Sequence, residues 1–280
     1  MKFYKYQALG NDYIIFDLIT DKVVYQKFDL FLSYLSQGSL AQRRKSIGAD
    51  GIITLTTGNK SPYRMVVLNQ DGSRAEICGN GLRCLSMYIY KYLNPPHSII
   101  IETDAGLSYS NLISLNRQTG IIENSFPRTS SELPSYLPEA ESFPAKLVIG
   151  EHLYYFYLVS VGNPHAVLFV ERPNEFDLSG FYFKACREHE FFCKVNLSIV
   201  NVQKEQIVHR IYERGVGETL SCGSASVAVF VVLNKLNKAD NKITLKHRGG
   251  QLQVERRNDN IYLIGEAYEV FTGEISVPRF

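Results

Sequence analysis

The sequence predicts a mixed α/β protein built from two similar halves, and three observations lead to that prediction. Runs of β-branched and aromatic residues, bounded by glycine, aspartate or asparagine, recur along most of the 280-residue chain, and such runs are typical of strands. Helical segments are fewer, and the two clearest begin at Cys-Gly pairs, Cys78-Gly79 and Cys222-Gly223. A proline-rich stretch near mid-chain separates the two pairs and predicts a domain boundary there.

The predicted elements follow from these patterns. Strands are predicted over 13–16, 51–55, 63–68, 98–102, 159–170, 208–212, 242–246, 250–254 and 260–264. Helices are predicted over 29–35 and from Gly79 and Gly223 onward. The last of these continues through 227–233 with apolar residues on every face, and a helix of this kind is usually buried in a core. The predicted linker is 125–145, which carries four prolines among serine, threonine and glutamate.

The two halves share an order of motifs. Gly10-Asn11 precedes a strand in the first half, and Gly162-Asn163 precedes a strand in the second. Farther along, each half has another strand, an acidic turn with glycine, and then a Cys-Gly pair. The asparagine and the cysteine are 67 residues apart in the first half and 59 in the second. Because the order and the spacing both recur, we infer a duplication. Two such halves facing each other would bring Cys78 and Cys222 to one cleft.

The composition excludes several classes of protein. The chain has 30 basic and 28 acidic residues with the signs interleaved, so it lacks the basic face of a nucleic-acid-binding protein. We expect neither a membrane span nor a signal peptide, because no apolar run has the required length and position. The five cysteines are an odd number without a CxxC pair. This favours reduced thiols in the cytoplasm over a disulfide framework or a zinc site.

Cys78 and Cys222 have the position expected of an acid and base pair. A cysteine at a helix start lies near unpaired backbone N–H groups and the positive end of the helix dipole, which favours the thiolate. Inverting a stereocentre requires a base on one face and an acid on the other, and one thiolate with one thiol does this in either direction. The anionic transition state also requires electrostatic stabilisation, which helix N-termini aimed at a substrate carboxylate supply.

Other interpretations of these residues stay open at this stage. Buried cysteine often acts as a small apolar side chain, and we expect this of Cys84, Cys186 and Cys193. A hydrolase that pairs Cys222 with His165 is a second candidate, although it leaves Cys78 without a role. A catalytically silent protein that only binds a ligand is a third.

The motifs closely resemble those of the diaminopimelate epimerase family, which are pyridoxal-independent isomerases of lysine and peptidoglycan biosynthesis. The matching stretches cover nearly the whole chain, with both cysteine blocks in the family order. They are residues 8–12, 47–51, 69–73, 75–81, 162–165, 212–215, 217–219 and 222–223. The resemblance implies two similar α/β domains, each a mixed sheet or barrel around a central helix, with the active site in the cleft between them. The domains would be 1–122, completed by 268–280, and 123–267.

The resemblance also implies roles for individual residues. Cys78 and Cys222 would be the catalytic acid and base, with no cofactor and no metal. The substrate-binding residues would be Asn11, Asn69, Gly79, Asn80, Asn163, Asn196, Glu213, Arg214, Gly223 and Ser224, with His165 in support. The fork of Arg214 suits a carboxylate because it can bind both oxygens. The ligand would be a small amino acid, diaminopimelate, and the enzyme would work in the cytoplasm. We expect no nucleic-acid or membrane partner, and a homodimer is one possible oligomeric state.

Four positions depart from the family pattern. The usual Cys-Gly-Thr-Gly-Ala is here Cys222-Gly223-Ser224-Ala225-Ser226, which keeps a hydroxyl and places a methyl group near the helix start. Gly51 stands where some members carry glutamine, which removes a polar contact. These departures predict a reshaped pocket that accepts other amino acids besides diaminopimelate. A proline racemase-like activity with the same cysteine pair is the alternative.

Overall fold

The computed structural model describes residues 1–20, 27–37, 39–126, 143–203 and 206–276. Most of the proline-rich segment predicted over 125–145 lies outside these residues, as does the end of the C-terminal segment. Within the described residues the chain divides into two compact units. Unit 1 draws on residues 1–127 and 263–280, and unit 2 on residues 128–262. The domain boundaries predicted after residues 122 and 267 stay predictions.

The elements are numbered in chain order. The strands are β1 Lys2–Ala8, β2 Asn11–Asp17, β3 Gly51–Thr56, β4 Tyr63–Asn69, β5 Arg74–Ala75, β6 Ser98–Thr103, β7 Gly106–Leu115, β8 Thr119–Phe126, β9 Ala145–Ile149, β10 His152–Ser160, β11 Pro164–Phe169, β12 Asn196–Val202, β13 Ile207–Glu213, β14 Gly217–Thr219, β15 Lys242–His247, β16 Gly250–Arg257 and β17 Asn260–Glu274. The α-helices are α1 Phe28–Ser36, α2 Gly79–Tyr92, α3 Leu178–Glu188 and α4 Gly223–Lys235. Short 3₁₀ turns cover Ser39–Ala41, Pro173–Glu175 and Glu190–Lys194. Among the described residues, no helix combines the length and the apolar character needed to cross a membrane.

Unit 1 is a barrel that closes around one helix. Its strands pair in the order β1, β2, β3, β4, β6, β7 and β8, and β17 pairs with both β8 and β1. The β2–β3 and β4–β6 pairs are parallel, and the pairs β1–β2, β3–β4, β6–β7, β7–β8 and β1–β17 are antiparallel. Helix α2 packs against β1, β2, β3, β4, β7 and β8, and every residue from Asn80 to Tyr90 is buried. The helix therefore lies at the centre of the larger of two buried clusters in this unit, and the second cluster packs around α1.

Unit 2 repeats this arrangement. The pairs β10–β11, β12–β13 and β15–β16 are antiparallel, whereas β11–β12 and β13–β15 are parallel. This is the same succession as in unit 1, where β1–β2, β3–β4 and β6–β7 are antiparallel and β2–β3 and β4–β6 are parallel. Helix α4 packs against β10, β11, β12 and β16. The predicted α/β class with two similar domains around central helices is thus confirmed.

Helix α4 depends on burial for its stability. Its segment 227–233 contains four valines, and each costs about 0.5 kcal/mol in a helix relative to alanine. All residues of this segment are buried except the half-buried Val231. Burying a valine side chain contributes roughly 1.5 kcal/mol or more, so core packing outweighs the poor intrinsic propensity.

One predicted strand is wrong in its extent. The sequence predicts one strand over 159–170, but β10 ends at Ser160 and β11 begins at Pro164. Between them the chain reverses through Gly162 at φ +92, and the Val161 N–H donates to the Asn163 carbonyl. Val159 and Val161 before the turn and the apolar run 166–170 after it led to the prediction of a single strand.

Several elements were not predicted. They are β1, β5, β7, β8, β9, β12, β14 and α3. Strand β1 shows one reason, because it contains Lys5, a residue that strands bury rarely. Lys5 is only 5% exposed, and its ammonium group pairs with Asp12 at 2.7 Å and donates to the Gly48 carbonyl. Partners distant in sequence make the buried charge tolerable, and the local pattern does not show them.

Candidate active site

Each cysteine lies at the start of its unit's central helix. Cys78 is the N-cap of α2 with extended backbone angles, φ −136 and ψ 114, and Cys222 is the N-cap of α4 at φ −144 and ψ 126. The N–H groups in the first turn of each helix have no partner within the helix itself. Cys78 is half-buried and Cys222 is 8% exposed. Both cysteines therefore lie at helix starts, as the sequence predicts.

A charged cluster fixes the chain around Asn11. Asn11 begins β2, and the next residue, Asp12, accepts hydrogen bonds from Arg43 and pairs with Lys5. The N–H of Asp12 donates to the Asp50 carboxylate at 3.0 Å, and the N–H of Asp50 donates back to the Asp12 carboxylate at 3.1 Å. Burial opposes ionisation of Asp12, but the Arg43 and Lys5 cations lower its pKa to about 2. The starts of β2 and β3 are therefore held together.

Asn69 and Cys78 lie at the same end of unit 1. Tyr13 on β2 is opposite Gly51 on β3, which is in turn opposite Asn69 at the end of β4. The amide of Asn69 donates to the Ser73 hydroxyl at 2.9 Å, across a tight turn. The hydroxyl of Tyr13 lies 3.0 Å from the Cys78 sulfur. The strand register thus brings Asn69, Tyr13 and Cys78 to one region.

Asn80 uses its side chain inside the protein. It is 2% exposed, and its side-chain oxygen accepts a hydrogen bond from Arg83, whose guanidinium also donates to the Gly79 carbonyl. The side-chain oxygen of Asn80 is therefore already used within α2, and the N–H groups of Gly79 and Asn80 lie in the first turn of this helix.

In unit 2, four predicted residues form one hydrogen-bonded group. The Cys222 sulfur and the Ser224 hydroxyl are 3.4 Å apart, and the Asn163 amide reaches the same hydroxyl at 3.5 Å. The side-chain oxygen of Asn163 is 2.9 Å from Nε2 of His165. Ser224 therefore connects the thiol to the asparagine, and His165 orients that asparagine.

The remaining predicted residues of unit 2 lie across neighbouring strands. Asn196 begins β12 opposite His165, and its side-chain oxygen accepts from the Arg214 N–H at 2.9 Å. Glu213 ends β13 and accepts a hydrogen bond from the Thr219 hydroxyl across the β13–β14 hairpin. The Arg214 guanidinium donates to the Lys194 carbonyl at 3.2 Å. Glu213 also faces the Cys222 thiol.

The protonation states correct one expectation. Burial raises the pKa of the Cys222 thiol well above its usual range, and the Glu213 carboxylate raises it further. The hydrogen bonds from Ser224 and the Ala225 backbone lower the pKa of Cys222 but do not reverse the shift. The expected preference for thiolate at a helix start is therefore wrong at Cys222, because burial and the Glu213 carboxylate outweigh the two hydrogen bonds.

The hydrolase alternative loses its base. Burial lowers the pKa of His165 to about 3, so this residue is neutral and a weak base at neutral pH. Its hydrogen bond goes to Asn163 and not to Cys222. His165 therefore contacts Asn163 in unit 2, and its supporting role toward a substrate stays a prediction.

Two contacts at the site were not predicted. Tyr13 reaches Cys78, and Thr219 holds Glu213. Strand periodicity could have indicated the first, because Asn11 and Tyr13 are two residues apart on one strand and share a face. The second depends on the register of a hairpin in which Ile211 is opposite Thr219. That register depends on the turn between the strands and was not assigned from the sequence.

The departures from the family pattern have definite surroundings. Ala225 is fully buried with Ile211 and Cys222. The Ser226 hydroxyl donates to the Cys222 carbonyl at 2.8 Å and lies 3.0 Å from Nε2 of His247. Ala225 and Ser226 therefore both contribute to the position of Cys222.

A family model described as diaminopimelate epimerase matches residues 3–121 and 157–270. The chain belongs to the diaminopimelate epimerase family. Proteins named diaminopimelate epimerase are similar to it over their full lengths. That of Agathobacter rectalis is 32% identical over 295 residues, covering 99% of this chain and 100% of the relative. That of Methanococcus maripaludis strain C6 is 33% identical over 288 residues, with the same coverage of each chain.

Solved structures similar to this diaminopimelate epimerase family member include two other enzymes. A probable proline racemase from Agrobacterium radiobacter gives a TM-score of 0.71 at 10% identity, covering 99% of this chain and 93% of its own. A hydroxyproline epimerase from Agrobacterium vitis gives 0.68 at 12% identity, covering 98% and 90%. At such identities the likeness shows the fold alone. The family model and the relatives named diaminopimelate epimerase show the predicted epimerase class.

Proposed function

We propose that the chain interconverts LL- and meso-2,6-diaminopimelate by transferring an α-proton between two thiols, Cys78 and Cys222. The observation that carries this proposal is the repeat of one arrangement. In each unit a central helix packs against the strands, and a cysteine in extended conformation occupies the N-cap position of that helix. A duplicated thiol is what inversion needs, because the reaction requires one group on each side of the carbon.

The surroundings of the two thiols support different resting states. Cys222 is buried beside Glu213, and the raised pKa of its thiol favours the protonated form. Cys78 is half-buried with a phenol hydroxyl 3.0 Å from its sulfur. In one direction Cys78 removes the α-proton as the base while Cys222 delivers a proton as the acid. In the other direction, the protonation states and the roles are exchanged. Protons balance without a cofactor.

The polar groups near each thiol suit an amino acid with several charges. We assign substrate binding to the residues that the resemblance implied. They are Asn11, Asn69, Gly79, Asn80, Asn163, Asn196, Glu213, Arg214, Gly223 and Ser224, with His165 in support. The backbone N–H groups at the two helix starts suit the carboxylate that gains charge in the transition state. Such preorganised donors contribute more than general acid–base transfer alone, which supplies about 10² to 10⁴-fold.

Specificity is the part most affected by the departures at Gly51, Ala225 and Ser226. Relatives about one-third identical to this chain are named diaminopimelate epimerase, which favours diaminopimelate as the main substrate. The buried Ala225 methyl beside Cys222 supports a pocket whose shape differs from the family pattern, so we propose additional, slower turnover of other amino acids.

A substrate panel tests this proposal. Diaminopimelate, glutamate, aspartate and proline are incubated with the protein in deuterated water, and α-proton exchange is followed for each. We expect the fastest exchange with diaminopimelate and slower exchange with at least one other amino acid. Exchange with diaminopimelate alone would refute the relaxed specificity, and exchange with proline alone would support the proline racemase-like alternative. No exchange with any of them would favour a silent binding protein.

We also propose that the enzyme works in a reducing compartment such as the cytoplasm. All five cysteines are thiols and none is joined in a disulfide within the described residues, and two-thiol catalysis requires that they stay reduced.

A further inference from the structure

Tyr13 is the residue of β2 that reaches the start of helix α2. Its ring is 5% exposed, and its hydroxyl lies 3.0 Å from the Cys78 sulfur. Both residues belong to unit 1, so the contact is internal to one compact body. The buried phenol therefore meets the thiol at the place where the helix begins.

Two glycines provide the space that this ring occupies. A Cβ atom added at Gly51 would lie 3.3 Å from Cδ1 of Tyr13 and 2.8 Å from the Leu68 carbonyl oxygen. A Cβ atom added at Gly81 would lie 3.5 Å from Cε1 of Tyr13, 3.5 Å from the Cys78 Cβ and 3.0 Å from Cδ1 of Ile53. A side chain at position 51 would press on the ring and on the backbone of β4. The glycine at position 51, which departs from the glutamine of some family members, is therefore coupled to Tyr13.

The Tyr13 hydroxyl is a permanent donor. Burial raises the pKa of this phenol well above 10, and the neighbouring Cys78 raises it further. A phenol that does not ionise keeps its proton at every pH at which the enzyme works. When Cys78 is a thiolate, this O–H donates a hydrogen bond to a full negative charge, and charge-assisted bonds of this kind are about twice as strong as neutral ones.

We propose that Tyr13 is a positioning residue that donates a hydrogen bond to the Cys78 sulfur and holds it as the thiolate that removes the α-proton. This inference rests on the proposed function, in which Cys78 is one of the two proton-transfer groups. It adds a residue outside the set implied by the family resemblance, and it gives Gly51 a structural reason.

Other ionisable groups act on Cys78 and Tyr13 in the same region. Arg83 and Cys84 on α2 interact electrostatically with Cys78, and Asp50 at the start of β3 acts on Tyr13. Arg83 is fully buried and bonds Asn80 and Gly79, whereas Cys84 is a fully buried thiol with a raised pKa. The substitution Tyr13→Phe leaves all three groups in place. A difference between wild type and Tyr13→Phe therefore reports the phenol hydroxyl.

The test is the pH dependence of Cys78 alkylation in the free enzyme. Wild type and Tyr13→Phe are labelled with iodoacetamide over a pH series, and Cys78 modification is followed by peptide mass spectrometry. We expect the apparent pKa of Cys78 to rise by about one unit or more, so that labelling at neutral pH slows about tenfold. Labelling well above that pKa should be unchanged. The pH profile of kcat for diaminopimelate should shift in the same direction, with KM nearly constant.

The matched control is Tyr6→Phe. Tyr6 is fully buried in the same core as Tyr13, and its hydroxyl donates to Glu269 at 2.6 Å instead. This variant loses a buried phenol hydroxyl of unit 1 but should keep the Cys78 labelling profile. A fluorinated tyrosine at position 13, a stronger donor, should lower the apparent pKa of Cys78 and so gives a second measurement if Tyr13→Phe folds poorly.

An unchanged Cys78 labelling profile in a folded Tyr13→Phe protein would overturn the inference, whatever the activity. Equal shifts in Tyr13→Phe and Tyr6→Phe would also overturn it, because the effect would then be structural. A shift confined to Tyr13→Phe, with no α-proton exchange by wild type, would support the hydrogen bond while refuting the proposed function.

Discussion

Replacing His165 by glutamine tests how burial controls the acid stability of unit 2. His165 is fully buried, and burial lowers its pKa from 6.5 to about 3. In the unfolded chain the same histidine titrates near 6.5. Below that pH the unfolded state binds a proton that the folded state does not, so folding stability is lost as the pH falls from 6.5 towards 3. Between pH 7 and about pH 5 the loss due to His165 is about 2 kcal/mol.

The assay is urea unfolding of wild type and His165→Gln at pH 7 and at about pH 5. Glutamine can still donate to Asn163, so the comparison is the change with pH and not the stability itself. We expect the variant to lose about 2 kcal/mol less than wild type over this interval. Burial lowers the pKa of His209 as well, and His247 and His165 lower it further; burial and His247 are kept in the variant, whereas the smaller contribution of His165 to His209 is removed together with His165. His152→Gln, at an exposed position of β10, should behave like wild type. Equal losses in His165→Gln and wild type would refute the reasoning.

Two further predictions concern stability. Gly72→Ala should lower the free energy of unfolding by more than about 3 kcal/mol, because Gly72 has φ +84 and an added Cβ would lie 1.7 Å from the Ser36 carbonyl oxygen. The control is Gly215→Ala, at φ +76 with nothing within 4 Å of the added Cβ, which should lower it by only about 1 kcal/mol. Equal losses for the two variants in urea unfolding would contradict the steric argument. Cys84→Ala should lower the free energy of unfolding by about 1–2 kcal/mol in the same measurement, because Cys84 is fully buried in the core around α2. Loss of α-proton exchange in a folded Cys84→Ala protein would show that Cys84 has more than a structural role.

Local sequence patterns predicted the parts of the fold that depend on local chemistry. The helix starts at Cys78 and Cys222 follow from Cys-Gly pairs before apolar segments, and the order of motifs indicated the duplication that the strand pairings confirm. The long strand β17 was predicted only over 260–264 although it continues to Glu274. Its second part pairs with β1, a partner more than 250 residues away, and local periodicity does not report such pairing.

In the candidate site, too, some features follow from the local sequence and others depend on tertiary packing. The repeated Gly-Asn and Cys-Gly motifs pointed to Asn11, Asn163 and both cysteines, and the family resemblance implied Asn69, Asn196, Glu213 and Arg214. Neither line of reasoning determined protonation. The raised pKa of Cys222 results from burial and from Glu213, and burial of a helix N-cap depends on tertiary packing. Tyr13 was not predicted for a related reason, since a tyrosine in an apolar strand is an ordinary core residue until its hydroxyl is placed beside a sulfur.

The most direct measurement of the central claim is the fate of the α-hydrogen during one inversion. LL-Diaminopimelate is converted in deuterated water, the reaction is stopped at low conversion, and product and remaining substrate are analysed separately. With two thiols on opposite faces, the inverted carbon should carry solvent deuterium while the remaining substrate stays unlabelled, and neither Cys78→Ala nor Cys222→Ala should turn over. Product that retains the original hydrogen, or inversion that persists when either thiol is removed, would contradict the account.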